Sequence, residues 1–153
     1  MAWNRKLSRA RLNLDRKLAA FQPAEEHQPP AKGWIRALRD ALGLSSAQLA
    51  RRMGIRPQSL DDMEKSEAGG TITLASLRRV GQAMDCTLVY ALVPNGSLAA
   101  IVQRRAESLA LEAIVGVSHS MALEDQTVTD PLRQQMEDYI AEHISERDLW
   151  RQS

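Results

Sequence analysis

Apolar residues fall at Trp3, Leu7, Ala10, Leu14, Leu18 and Phe21, at intervals of four, three, four, four and three. That is the spacing of one helix face, and it predicts an amphipathic helix over residues 3–21. At about 100° per residue Arg5, Arg9 and Arg16 cluster on a different side. Pro23, Pro29 and Pro30 then interrupt the pattern and predict a stiffened linker, so the first helix reads as an arm, packed or mobile. Four short helices follow. The first covers residues 34–42 and stops at Gly43. Ser45 caps the second, with Gln48 reaching back from the third helical position, and Gly54 ends it. Pro57 opens the third, where its missing N–H costs nothing, and that helix is expected to run to about Lys65. Residues 66–70 read as a loop. Thr73 caps the fourth, along which Leu74, Leu77, Val80 and Met84 form an apolar stripe.

Residues 87–93 change the period. Leu88, Val89, Tyr90, Ala91, Leu92 and Val93 are apolar in succession, favour β structure and end at Pro94-Asn95-Gly96. A lone strand leaves its N–H and C=O groups unpaired. No second strand is evident, so the same strand of another copy is the expected partner. Ser97 caps a long helix through Leu98, Ile101, Val102, Leu109 and Ile114. Asp130-Pro131 opens a last one, with Leu132, Met136, Ile140 and Ile144 four apart.

The expected fold is mainly α: a helix-turn-helix domain, one short dimerising strand, and added N- and C-terminal helices. Its expected divisions are residues 1–31 (basic helix and linker), 32–86 (helix-turn-helix), 87–94 (strand) and 95–153 (C-terminal helices).

The net charge of +1 conceals segregation. Residues 1–20 carry six Lys/Arg against one Asp, residues 32–65 seven against four, and residues 96–153 five against ten. A basic front and an acidic back suggest a polyanion on one side and a protein partner on the other. The single Cys86 excludes an intramolecular disulfide, and with His27, His119 and His143 widely separated it argues against zinc while leaving a carboxylate site open; no metal ligand is assigned. No catalytic constellation and no cofactor motif is evident, and the chain does not read as an enzyme. No apolar run approaches the roughly 20 residues of a membrane helix, and the basic start lacks the apolar stretch of a secretory signal. A cytoplasmic protein is expected.

Two short helices about a glycine turn, within a four-helix frame, suit DNA. The second helix enters the major groove while the first crosses the backbone. The run from Leu44 to Ile55, followed by Leu60 to Lys65, resembles the Cro/repressor-type family at Ser45, Leu49-Ala50, Gly54-Ile55, Leu60 and Glu64. That resemblance implies that Ala50 keeps the helices close and that Glu64 ends the recognition helix. The chain departs from the family's pattern at Ser46, where glutamine is usual, and at Asp61 and Asp62. Arg56, Gln58, Ser59 and Asp62 are the candidate base contacts. Gln can be bidentate to adenine, Arg to guanine, and a carboxylate can accept from cytosine. Arg39, Ser46 and Lys65, with Arg5, Arg9 and Arg16 of the arm, are candidate phosphate contacts. The expected ligand is double-stranded DNA carrying an inverted repeat, bound by a homodimer.

A narrower resemblance covers Gly33 to Arg39, Lys65 to Ala68 and Cys86 to Pro94, which are similar to the bacterial family named mobile mystery protein A. It implies an antitoxin-like, DNA-binding repressor paired with a Fic-domain protein. Fic antitoxins carry an inhibitory helix of Ser or Thr, three residues, Glu, then Gly or Asn. Ser120 to Glu124 matches as far as the glutamate, but Asp125 follows. The alternative reading is an inhibitor of a Fic-type toxin acting through residues 97–153, with DNA binding secondary.

Overall fold

A computed structural model of the chain describes residues 4–117 and 130–151. Seven α-helices are assigned among them: α1 (Arg5–Leu18), α2 (Trp34–Ala41), α3 (Ser46–Met53), α4 (Pro57–Ala68), α5 (Leu74–Ala83), α6 (Leu98–Val117) and α7 (Asp130–His143). The chain divides into two compact units. One is continuous, from Phe21 to Ala91. The other joins Met1–Ala20 to Leu92–Ser153. The expected division set residues 1–31 apart, whereas α1 belongs with the C-terminal helices.

In the continuous unit the local signals act as read. The Ser45 hydroxyl accepts from the Gln48 N–H at 3.2 Å, and the Gln48 side chain accepts from the Ser45 N–H at 2.8 Å. Two of the otherwise orphaned donors at the start of α3 are thereby satisfied. Gly54 takes the left-handed conformation, φ 67°, and closes α3 by donating to carbonyls of its last turn. A side chain at that φ would cost energy; glycine avoids the cost. Pro57 sits at the start of α4 and Thr73 caps α5. The core is Ile35, Leu49, Ala50, Leu60, Val80 and Met84, with Leu38, Ile55, Met63 and Leu77 against it. Ala50 has no accessible surface, so its small side chain is what lets neighbouring helices close on α3.

α4 runs three residues beyond the expected end at Lys65 and takes in part of the expected loop. The reason lies in Glu67. Its carboxylate accepts from the backbone N–H groups of Trp34 and Ile35, the first residues of α2. It thereby caps a helix 32 residues earlier, on which no side-chain cap of its own is present. Gly33 makes room for this: a Cβ there would stand 2.6 Å from a Glu67 oxygen, and its φ is +86°.

The other unit is built from α1, α6 and α7. Ala106, Ala110, Ile140 and Leu149 are its buried residues, with Val102, Leu109, Met136, Tyr139 and Ile144 around them. Alanines at 106 and 110, four apart on α6, mark the side that α7 approaches. α1 is held by polar contacts. Asp15 accepts from the Leu98 N–H at 2.9 Å and so caps α6, together with Ser97. Arg11 pairs with Glu146 at 2.6 Å, both side chains largely buried. The expected packing face of α1 was Leu7, Ala10, Leu14 and Leu18. Leu7 and Leu14 are exposed instead, and Ser8, Arg11, Asp15 and Leu18 are the covered positions. Hydrogen-bonding groups, absent from a hydropathy period, set the rotation of this helix.

No strand is assigned among the described residues, and residues 87–93 carry no regular structure. The physical reason is that a strand exists only with a hydrogen-bonded neighbour, which no other segment among the described residues supplies.

Deleting residues 1–20 should remove more than the 14 helical residues of α1, because α6 loses the Asp15 cap and Glu146 is left buried without its cation. Far-UV circular dichroism measures this. A loss no larger than α1's own share would show that α1 does not support α6 and α7.

Candidate nucleic-acid interface

α4 has two opposed sides. Leu60 and Glu64, four apart, are buried, and Glu67 follows at the next turn to cap α2. Gln58, Asp62 and Lys65 repeat the same spacing two residues out of step and are exposed. Two residues is about 200° of helical rotation, so gripping the domain with one side presents the other to solvent.

The grip is electrostatic as well as apolar. Arg39 on α2 donates from Nε to Glu64 Oε1 at 2.6 Å and from Nη2 to Oε2 at 3.3 Å, a two-pronged pair. Its Nη1 also donates to the Leu44 carbonyl at 3.0 Å, in the turn before α3. The hydrogen bonds that Arg39 donates to Glu64 raise the Arg39 pKa above its ordinary value, more than burial lowers it. Arg39, expected on phosphate, is therefore spent inside the domain. Glu64 does not end the recognition helix; it anchors its middle.

Ser46 is also engaged. Its hydroxyl donates to Asp61 Oδ1 at 2.6 Å, tying the start of α3 to α4. Asp61, a departure from the family pattern, has a structural partner in this bond. Asp62, the other departure, accepts from Gln58 Nε2 at 3.0 Å. Arg56 is the N-cap residue of α4 and is exposed; Ser59 is half-buried. Of the expected base contacts, Arg56, Gln58, Ser59 and Asp62 thus lie together along the first two turns of α4. Of the expected phosphate contacts, Lys65 is exposed on the same helix. Arg5, Arg9 and Arg16 are exposed on α1, in the other unit.

Arg51, Arg78 and Arg79, outside the expected contacts, are also exposed, on α3 and α5. The signal was available for Arg51, since the first helix of such a pair crosses the backbone. The candidate inhibitory residues Ser120 and Glu124 lie outside the described residues. Among the described residues no group of three His, Cys, Asp or Glu side chains could hold a metal ion, and no helix is long and apolar enough to cross a membrane.

Residues 35–90 match the family model described as Helix-turn-helix, a little over a third of the chain. This segment is a helix-turn-helix domain, as the Cro/repressor-type resemblance implied, and it marks a DNA-binding regulator. No comparison supports the narrower likeness to mobile mystery protein A. No curated protein and no solved structure matches the chain.

Replacing Glu64 by alanine takes from the shielded Arg39 its two-pronged partner and leaves the more exposed Asp40, at 3.1 Å, as its ion-pair partner. The expected loss of stability is about 3 kcal/mol, the low end for a broken buried pair because both side chains keep some exposure. Urea denaturation of Glu64→Ala against wild type measures it. A loss below about 1 kcal/mol would place the pair with ordinary surface ion pairs.

Proposed function

We propose that this chain is a sequence-specific transcriptional repressor that binds an inverted-repeat operator as a homodimer, with α4 in the major groove. The observation that carries the reading is the two-sided recognition helix. Leu60, Glu64 and Glu67 hold it to the domain, and Gln58, Asp62 and Lys65 stand exposed on the opposite side. Ser59 and Arg56 complete a row of base-edge donors and acceptors at the N-terminal end, where such helices meet bases. Arg51, Arg78 and Arg79 add positive charge for phosphates.

The dimer is supported by the chemistry of residues 87–93. Every position after Thr87 is apolar, and Val89, Tyr90 and Leu92 are 66%, 65% and 89% exposed in the single chain. Antiparallel pairing of this segment with its two-fold mate would satisfy its backbone and cover those side chains. The two recognition helices would then address half-sites about 34–36 Å apart, or a multiple of that. The antitoxin-like role beside a Fic-domain partner rests on the sequence resemblance alone; the neighbouring gene tests it directly.

Replacing Gln58 and Ser59 together by alanine should cost roughly 1–3 kcal/mol for each good base contact on the cognate site and little on random DNA. Fluorescence anisotropy against both duplexes measures it. Equal loss on the two would reduce these residues to positioning groups.

Proline at Val89 removes an N–H that strand pairing uses. Sedimentation should show a dimer for the wild type at micromolar concentration and a monomer for Val89→Pro, with full-site affinity lost and half-site affinity kept. A wild-type monomer, or a dimeric variant, overturns the strand-paired dimer.

A further inference from the structure

Gln58 and Asp62 stand one helical turn apart on the exposed side of α4, joined by a 3.0 Å hydrogen bond from Gln58 Nε2 to Asp62 Oδ1. An ionised carboxylate has only acceptor atoms, so it can face only the nitrogen of the amide. The chemistry, rather than a choice between two similar atoms, thus orients the Gln58 side chain. One of its two N–H groups is spent on Asp62. Its oxygen and its second N–H remain.

Adenine offers the complement of that remainder in the major groove: the N6 amine as donor and N7 as acceptor. Asp62 has acceptor capacity to spare beyond the bond from Gln58. It can accept a hydrogen bond from the amine of cytosine or adenine, and it meets only acceptors on guanine O6 and N7 and on thymine O4.

Resting on the DNA-binding reading above, we propose that Asp62 is a positioning and specificity-determining residue. It holds the Gln58 amide ready for adenine and itself selects a neighbouring base that presents an exocyclic amine. A carboxylate in the groove lowers affinity for every duplex through repulsion of phosphates. Its place on the reading face is repaid as discrimination, with Lys65 and Arg56 exposed on the same helix to offset the charge. A Gln–Asp pair at this spacing also steadies a helix slightly. That role alone would change affinity equally for all sequences, so base preference separates the two.

The test is selection from a randomised duplex library with the full chain, followed by affinity measurement on single-base variants of the selected site. Wild type should enrich a half-site with adenine at one position and cytosine or adenine beside it. Asp62→Ala should lose discrimination at both positions, on the order of tenfold at each. Asp62→Asn keeps an acceptor for Gln58 Nε2, so the adenine preference should persist, while the adjoining position should admit guanine or thymine. Gln58→Ala should lose the adenine preference alone. If Asp62→Ala retains the wild-type preference at both positions, or if Asp62→Ala and Asp62→Asn weaken all duplexes equally, the assignment is overturned and DNA binding stands. If wild type enriches no sequence, the DNA-binding reading falls and this assignment with it.

Discussion

The pairing of Arg39 with Glu64 is the constraint on which the domain's outward face depends. Both side chains are largely removed from water, at 12% and 10% exposure, and a buried charge is tolerable only when its partner is in register. A rotation of α4 by one residue would swing Glu64 through about 100° and leave Arg39 with the exposed Asp40 as its ion-pair partner. Glu67 repeats the constraint one turn on, at the other end of α2, where it replaces the missing N-terminal cap. Two carboxylates on one side of α4 thus grip both ends of α2, and Gln58 and Asp62 face outward because nothing else is left for that side to do.

Charge segregation along the chain has a second explanation in the fold. The cationic first twenty residues and the anionic last third belong to one compact unit, and Arg11 with Glu146 is a direct contact between them. Opposite charges at distant points of a sequence suggest two partners. Part of that charge is instead consumed in assembling a single unit. What remains for an external polyanion on α1 is its outer side, where Arg5, Arg9 and Arg16 are exposed.

Local chemistry was legible and long-range chemistry was not. Ser45, Gln48, Gly54, Pro57 and Thr73 act on neighbours within four residues, so their spacing alone placed the ends of α3 and the starts of α4 and α5. The candidate base contacts followed from those starts. The added turn of α4 depends on Glu67 meeting α2, and the fate of Arg39 depends on Glu64; neither partner is near in sequence. The facing of α1 failed for a related reason: apolar periodicity reports which side prefers to be covered, whereas Asp15 and Arg11 bind particular atoms 83 and 135 residues away. A strand at residues 87–93 would need a second backbone to pair with, and apolar succession alone does not say whether one is there.

The discontinuity of the unit built from α1, α6 and α7 bears on how the chain is completed during synthesis. Residues 21–91 are contiguous, and their helices meet neighbours made shortly before, so this domain can close as soon as it clears the ribosome. α1 is made first but cannot be finished then. The Leu98 N–H that Asp15 caps is 83 residues downstream, roughly 4–17 s later at ordinary elongation rates. Glu146 follows later still. Throughout that interval α1 waits without the groups that Asp15 and Arg11 bind. On this order of synthesis the helix-turn-helix domain matures ahead of the helix that begins the chain.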